Sequence, residues 1–293
     1  MTHRASILED GRSSLALLFA AAFACAACGD DGGGTDGGSD ADSDADSGAH
    51  GDLDAGEDAG GDLDYPIDSI TVAEWESCSL IEGEDDGRAG CATVQMPLFW
   101  DAPDGRTIGI RVKRLLPSVT PTAQIWLLDG GPGAAGTYHL PALMEKLQTL
   151  FPALEVYTLD HRGTGLSERL SCPTYEAASS ASAESISSAE MPSCIEEMRA
   201  EEGDRLDAIT SSFSSIDVAA LITATRRPGV KVFLYGTSYG SYFAHRIVQI
   251  FPELVDGVAI SGIAPPDASF IYFDEYTNLA AEKLFDLCAE DDF

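Results

Sequence analysis

The sequence KVFLYGTSYGSYFAHRIVQI occupies residues 231–250 and joins a β-rich run to an amphipathic run through the pentapeptide GTSYG at 236–240. The first run predicts a strand at 230–235, and the spacing of apolar residues in the second predicts a helix at 239–251. A serine at a sharp, glycine-flanked turn from strand to helix is typical of a nucleophile elbow. A serine that only caps a helix gives the same pentapeptide, but the adjoining strand and helix favour the nucleophile, Ser238.

The rest of the chain from Tyr65 onward predicts alternating strands and helices. The predicted strands are 92–99, 107–116, 123–128, 154–159, 230–235 and 257–261, and the predicted helices are 140–150, 216–225, 239–251 and 270–289. The first two strands flank a turn at 103–105 and should form an antiparallel hairpin. Continuous apolar runs such as AQIWLL and LEVYTL indicate strands buried on both faces of a parallel sheet. The pattern predicts an α/β fold with helices on both faces, one of them beginning near Asp217.

Two more motifs follow predicted strands, where ligands bind in such sheets. The sequence DGGPG at 129–133 follows AQIWLL, and its glycines would let backbone amides approach a substrate oxygen and form an oxyanion hole. A plain Gly-Pro turn is the alternative. The sequence DHRGTGLS at 160–167 follows LEVYTL. We expect Asp160 and Arg162 to form a structural ion pair that braces the loops.

The motifs GGPG, DHRGTGLS and GTSYG, in this order, resemble the α/β-hydrolase fold and, more narrowly, the proline iminopeptidase and tripeptidyl aminopeptidase family of serine exopeptidases. The segment MPLFWDAPDGRTIGIRVKR at 96–114 resembles the entry hairpin of the secreted tripeptidyl-aminopeptidase branch. The resemblance implies Ser238 as the nucleophile and the backbone amides of Tyr239 and of Gly131, or its neighbour Gly130, as the oxyanion hole. Asp129 stands where the family usually has His, and a hole built from backbone amides should survive that change.

The resemblance also implies an Asp and a His after a helical cap, and this sequence departs from that pattern. The only histidine after the serine is His245, seven residues on in the same predicted helix. That is about 10 Å along the axis, so we expect a structural role. His139 and His161 precede the serine and do not match the family's catalytic position. After the start of a cap at 270–289 the sequence stops, so we expect the C-terminal part of the fold, with the triad Asp and His, to be absent.

Five of the seven cysteines lie beyond the N-terminal region. In an oxidising compartment we expect the pairs Cys78–Cys91 and Cys172–Cys194, each closing a short loop. This leaves Cys288, and an odd cysteine suggests a partner outside this sequence.

The N-terminus predicts export. Basic residues precede an apolar stretch at 13–27 that is too short to span a membrane, which indicates a signal peptide at 1–28. Its end, AACG at 26–29, resembles a bacterial lipoprotein cleavage site with Cys28 as the lipidated residue, and ordinary signal-peptidase cleavage is the alternative. Residues 29–64 hold thirteen acidic residues, eleven glycines and no Lys or Arg, so we expect a disordered tether. The protein is therefore expected at the cell envelope or secreted.

The charge balance narrows the classes of partner. The chain has 17 Lys and Arg against 49 Asp and Glu, for a net charge of −32, which argues against nucleic acid as a ligand. Membrane contact is expected only through the N-terminal lipid. No cofactor or metal is expected. The predicted organisation is a signal peptide at 1–28, a tether at 29–64, the hydrolase domain at 65–268 and the start of a cap at 269–293.

Together these patterns predict a serine hydrolase that acts as an aminopeptidase on peptide N-termini. Two alternatives stay open. The first is a carboxylesterase or lipase, which would use the same elbow and oxyanion hole on an ester. The second is a catalytically inert, truncated lipoprotein.

Overall fold

The computed structural model describes residues 65–181, 186–266 and 273–289. These residues belong to one compact unit, Asp62–Phe293. The signal peptide at 1–28, Cys28 and the tether at 29–64 lie outside the described residues, so those assignments stay predictions.

The described strands form one seven-stranded sheet with the order β1-β2-β3-β5-β4-β6-β7. The strands are β1 (Glu76–Cys78), β2 (Ala89–Pro97), β3 (Thr107–Leu115), β4 (Ala123–Leu128), β5 (Leu154–Leu159), β6 (Lys231–Thr237) and β7 (Gly257–Ser261). From β1 to β5 along the sheet, every pairing is antiparallel. The strands β5, β4, β6 and β7 are parallel to one another. The predicted hairpin and parallel sheet are both confirmed.

Helices connect and flank these strands. They are α1 (Gly136–His139), α2 (Pro141–Leu150), α3 (Met191–Glu202), α4 (Ser211–Thr225), α5 (Tyr239–Ile250) and α6 (Phe273–Ala289), and short 3-10 helices span Ile67–Ser69 and Gly203–Ala208. The predicted start of a helix near Asp217 is wrong. Helix α4 begins at Ser211, where the side chain of Thr210 accepts a hydrogen bond from the Phe213 amide at 3.1 Å. Asp217 is buried in mid-helix.

The core lies on both faces of the central strands. Every residue of β4 and of β5 is buried, and Trp126 stacks on Tyr157 with 4.6 Å between ring centroids. Helix α4 is buried from Ser214 to Ile222, lies beside α5 and shares one hydrophobic core with the strands. Burial of apolar side chains at about 25 cal/mol per Å² is the main stabilising term for such a core. It fixes the carboxyl ends of β4, β5 and β6 at one edge.

Two disulfides join the pairs expected from the sequence. Cys78 and Cys91 link β1 to β2 with 5.9 Å between their Cα atoms. Cys172 and Cys194 link α3 to the chain that follows β5, with 5.3 Å between Cα atoms. Cys288 is free and exposed. Structural disulfides are typical of proteins from oxidising compartments.

Within the described ranges, no single helix is long and apolar enough to cross a membrane. One pair, Met191–Ala208 with Ser211–Thr225, reaches the required length and composition only when taken together, across a bend of 59°.

Candidate active site

Ser238 lies at the junction of β6 and α5, in a turn that carries real backbone strain. Its φ is +55° and its ψ is −124°, a conformation that residues other than glycine rarely adopt. The Ser238 amide donates to the carbonyl of Ser261 in β7 at 3.0 Å, which holds the turn against the sheet. Strained residues of this kind persist only where the surrounding structure determines them, and they cluster at functional sites. The strand–turn–helix expected of the elbow is present.

The two glycines of the pentapeptide are required because neither position has room for a side chain. A Cβ added to Gly236 would lie 2.1 Å from the carbonyl oxygen of Gly240. A Cβ added to Gly240 would lie 2.1 Å from the carbonyl oxygen of Leu128, at the end of β4. Both distances are far inside van der Waals contact with backbone atoms that cannot rotate away. The elbow therefore forms only where the chain carries glycine on each side of the serine.

The side chain of Ser238 does not cap α5, although the residue occupies the N-cap position. No other described residue hydrogen-bonds to its hydroxyl. The backbone carbonyl of Ser238 accepts from the Ser241 hydroxyl at 2.6 Å, and the oxygen of Ser241 accepts from the Ala264 amide at 2.8 Å. These hydrogen bonds hold the backbone of the turn in place. Because the Ser238 side chain makes no capping hydrogen bond, the structure does not fit the helix-capping interpretation.

The glycine loop after β4 lies against the serine. A Cβ added to Gly130 would sit 3.2 Å from the Ser238 Cβ and 3.7 Å from its Oγ. The Gly130 amide donates to its neighbour Asp129 at Oδ1, 2.8 Å away, and the Oδ2 atom of Asp129 lies 2.9 Å from His139 Nδ1. Gly131 has a φ of +110°. Of the two amides considered for the oxyanion hole, that of Gly130 is therefore occupied by Asp129.

The predicted ion pair between Asp160 and Arg162 does not form. Arg162, which is fully buried, instead pairs with Asp217 of α4 through Nε at 2.6 Å and Nη2 at 2.7 Å. Trp100 Nε1 donates to the same carboxylate at 2.8 Å. The guanidinium also donates to the backbone carbonyls of Pro97, Leu98 and Ala208. Burial raises the pKa of Asp217, and the guanidinium opposes that rise.

The carboxylate of Asp160 instead binds Thr137 of α1 and the Leu166 amide. It accepts from the Thr137 amide and from the Thr137 hydroxyl, both at 2.9 Å, and from the Leu166 amide at 2.9 Å. The loop after β5 is thereby tied to the segment that follows the glycine loop. Arg162 ties the same loop to α4, so the predicted bracing role is kept with different partners.

A cavity of about 320 Å³ opens beside the elbow. Its walls include Pro132 of the glycine loop, His161, Ser211 and Ser214 of α4, and Tyr239 and Tyr242 of α5. Ser238 is not itself among the lining residues, but Tyr239 follows it directly. The Tyr239 hydroxyl and the Ser211 hydroxyl are 2.9 Å apart and share a hydrogen bond.

Comparison with protein families identifies this arrangement. Residues 125–293 match the model of the alpha/beta hydrolase fold. The chain belongs to the α/β-hydrolase fold family. The match runs from within β4 onward and includes all three motifs.

Solved structures of related fold are distant from this chain in sequence. A putative hydrolase from Agrobacterium vitis is 12% identical, with 64% of this chain and 61% of that chain covered and a TM-score of 0.39. A proline iminopeptidase-related protein from Thermus thermophilus is 20% identical, with 58% and 44% covered and a TM-score of 0.35. A carboxyl esterase from Bacillus coagulans is 14% identical, with 66% and 51% covered and a TM-score of 0.37. The chain thus spans less than two thirds of the length of each. Among curated proteins, nothing matches it.

The structure brings together Ser238, Tyr239, Gly130 and Gly131, all of which the sequence singled out. His245 lies within α5, as expected, and makes no hydrogen bond to Ser238. Sequence reasoning missed that His161 lines the cavity. Its position in the sequence could have indicated this, because His161 follows β5 and the carboxyl ends of β5 and β6 lie at the same edge of the sheet. In the part of the chain that the structure describes, no group of three or more His, Cys, Asp or Glu residues is arranged to hold a metal ion.

Proposed function

We propose that this α/β-hydrolase is a serine exopeptidase that releases residues from peptide N-termini, with Ser238 as its nucleophile. The observation that carries the proposal is the conformation of Ser238. Its φ of +55° places it at a strained turn, and its hydroxyl is not committed to any described neighbour. A hydroxyl presented in this way above the carboxyl edge of the sheet suits attack on an acyl carbon.

The oxyanion that forms on attack would be held by the amides of Tyr239 and Gly131. Tyr239 is the first residue of α5, so its amide lies at the positive end of the helix dipole. The amide of Gly130 is directed to Asp129 at 2.8 Å, which leaves Gly131 as the better donor from the glycine loop. Amides fixed in this way stabilise developing negative charge because they need no reorganisation during the reaction.

The remaining chemistry needs a base that takes the serine proton and later gives it to the leaving amine. The family resemblance implies a histidine for this task and an acidic residue that orients it. None of the described histidines hydrogen-bonds to Ser238. We assign both roles to residues other than those described.

We also propose that the hydrolase acts outside the cytoplasm and is held at the cell envelope by a lipid on Cys28. The two disulfides support an oxidising compartment. The signal peptide at 1–28 and the acidic segment at 29–64 support export and a tether between anchor and domain. Mass spectrometry of the membrane fraction tests this, since the proposal requires an N-terminal peptide that begins at acylated Cys28.

The catalytic proposal is tested with the complete gene product, assayed on aminoacyl p-nitroanilides and on short-chain p-nitrophenyl esters. We expect turnover of the anilides, and a loss of at least about a thousandfold in kcat for Ser238→Ala. Ser118→Ala is the matched control, because Ser118 is exposed at the opposite end of β4 and should leave kcat unchanged. Turnover of esters alone would refute the exopeptidase, and full activity of Ser238→Ala would refute the nucleophile.

A further inference from the structure

The cavity beside the elbow opens at the same surface as the proposed catalytic groups. Pro132 in its wall is exposed, as are its neighbour Gly131 and the nucleophile Ser238. Tyr239, another wall residue, directly follows Ser238, and consecutive Cα atoms are about 3.8 Å apart. The two amides proposed for the oxyanion hole therefore belong to a wall residue and to the neighbour of one. The entrance of the cavity lies beside the carbonyl of a substrate that both amides hold.

The wall becomes more buried toward the inner end of the cavity. Thr210 is exposed, Ser211 and Tyr242 are half-buried, and Ser214 and Tyr239 are buried. The volume of about 320 Å³ lies at the low end of the range for ligand pockets, roughly 300–1,000 Å³. The cavity therefore suits one side chain rather than an extended peptide.

The wall presents no free charge. Among the described residues that line the cavity, Arg162 is the only Lys, Arg, Asp or Glu. It is fully buried, and its guanidinium is taken up by Asp217 and by backbone carbonyls. Burial lowers the pKa of His161, so this ring is neutral at neutral pH. A charged side chain that entered the cavity would lose its hydration without gaining a counter-charge, so the cavity disfavours it.

Aromatic rings form much of the wall. The rings of Tyr239 and Tyr242 lie at 22° to each other with 6.1 Å between their centroids. The His161 ring lies 5.6 Å from that of Tyr239. Rings attract further aromatic groups through offset-stacked and edge-to-face contacts. The wall therefore favours an aromatic side chain over an aliphatic one of similar size.

One hydroxyl at the inner end is free. Ser214 is 3% exposed, and none of the described residues hydrogen-bonds to its side chain. Its oxygen is not one of the fully enclosed atoms that lack a partner, so it has surface open to the cavity. The hydroxyls of Ser211 and Tyr239, in contrast, are already joined at 2.9 Å. Polar atoms inside proteins are nearly always paired, so Ser214 Oγ marks a place where a polar ligand atom fits.

We propose that this cavity binds the acyl side chain of the substrate and selects uncharged aromatic side chains, with Ser214 hydrogen-bonded to a hydroxyl at the tip. The expected preference is tyrosyl over phenylalanyl, and both over leucyl and lysyl. The proposal rests on the proposed function and adds Ser214 and Tyr242 as residues that determine specificity. A phenol satisfies the Ser214 hydroxyl, whereas a phenyl ring leaves it unpaired.

The kinetic test varies only the acyl group. The complete gene product is assayed on the p-nitrophenyl esters of tyrosine, phenylalanine, leucine and lysine, which share one leaving group. We expect the kcat/KM ratio of tyrosyl over phenylalanyl ester to fall about three- to tenfold in Ser214→Ala, because one hydrogen bond is lost. Ser212→Ala is the matched control and should leave the ratio unchanged. Ser212 lies on the same helix but does not line the cavity, and its hydroxyl accepts from Arg246 Nε at 3.0 Å.

A second variant tests the aromatic wall. Tyr242→Leu removes the ring but keeps an apolar side chain. We expect its kcat/KM ratio of phenylalanyl over leucyl ester to fall about two- to tenfold, because the substrate ring loses an aromatic contact. Tyr175→Leu is the matched control, since Tyr175 does not line the cavity, and it should keep the wild-type ratio.

A binding measurement does not depend on turnover. Ser238→Ala protein is titrated by calorimetry with L-tyrosinamide and, separately, with L-phenylalaninamide. We expect tighter binding of L-tyrosinamide. The difference between the two amides should disappear when Ser214→Ala is added to Ser238→Ala.

The two failures are distinguishable. Equal affinity for the two amides, an unchanged tyrosyl-over-phenylalanyl ratio in Ser214→Ala, or a preference for the lysyl ester would overturn the assignment of the cavity. Undiminished turnover in Ser238→Ala would overturn the proposed function, while the titration still decides whether Ser214 binds the phenol.

Discussion

Replacing Asp217 with asparagine should strongly destabilise this fold. The carboxylate accepts three hydrogen bonds, from Arg162 Nε at 2.6 Å, Arg162 Nη2 at 2.7 Å and Trp100 Nε1 at 2.8 Å. Asp217→Asn keeps the shape but removes the charge and turns one acceptor into a donor. The guanidinium of Arg162, with 0% exposure, then has no counter-charge and cannot lose its proton.

The size of the effect follows from that burial. Removing one partner of a buried ion pair costs about 3–5 kcal/mol, because the other charge stays buried without compensation. Domains have a total free energy of unfolding of about 5–15 kcal/mol, so the variant loses a large share of its stability. With a urea m-value of about 2 kcal/mol per M, the midpoint of unfolding should fall by about 2 M.

The matched control is Asp204→Asn. Asp204 also pairs with an arginine at 2.6 Å, that of Arg106, but the two side chains are 66% and 57% exposed. Exposed pairs contribute about 0–1 kcal/mol, so this variant should unfold within about 0.5 M of the wild type. Urea unfolding followed by circular dichroism measures both. If Asp217→Asn differs from Asp204→Asn by less than about 1 kcal/mol, the buried pair does not brace the loops as described.

Three further predictions concern the elbow, the glycine loop and the cavity. Gly240→Ala should abolish both turnover and fluorophosphonate labelling of Ser238, because the added Cβ would lie 2.1 Å from the Leu128 carbonyl oxygen. The control Gly257→Ala should retain both, because its Cβ meets only the Phe233 ring at 3.2 Å. Equal activity of the two variants would contradict the steric argument. Asp129→Ala should lower kcat by about tenfold or more with little change in KM, because the Gly130 amide loses its acceptor. Asp129→Asn keeps an acceptor oxygen and should keep most of kcat. Equal losses in the two variants would show that the charge of Asp129 matters rather than the hydrogen bond. Burial lowers the pKa of His161 from 6.5 on folding. The unfolded chain therefore binds more protons below pH 6.5, and the free energy of unfolding decreases as the pH is lowered through this range. His161→Gln should lose less stability than the wild type on acidification, by up to about 1.4 kcal/mol per pH unit in urea unfolding, and parallel profiles would contradict the lowered pKa.

The sequence predicted the features that depend on local patterns. Strands β4, β5 and β7 have the predicted bounds, and in β4 and β5 continuous apolar runs leave no ambiguity about burial on both faces. The elbow was also predictable, because the strand, the two glycines and the helix are adjacent in the chain. The disulfide pairs followed from short loops in which the nearest cysteine is the natural partner.

Features that depend on distant parts of the chain were missed. Arg162 and Asp217 are 55 residues apart, and only the packing of α4 against the loop after β5 brings them together. Strand β1 has three residues and exists through its pairing with β2 and the Cys78–Cys91 disulfide. Helix α3 buries only Cys194, so it lacks the apolar stripe by which helices are recognised.

The most direct test of Ser238 as the nucleophile is to treat the folded, complete gene product with a fluorophosphonate and map the adduct by mass spectrometry. Labelling requires an activated serine. Trypsin releases the peptide 232–246, VFLYGTSYGSYFAHR, whose fragment ions separate Ser238 from Ser241. We predict one adduct, on Ser238, that is lost in Ser238→Ala and kept in Ser118→Ala. A folded protein without an adduct on Ser238, or with one on Ser241 instead, would contradict the account.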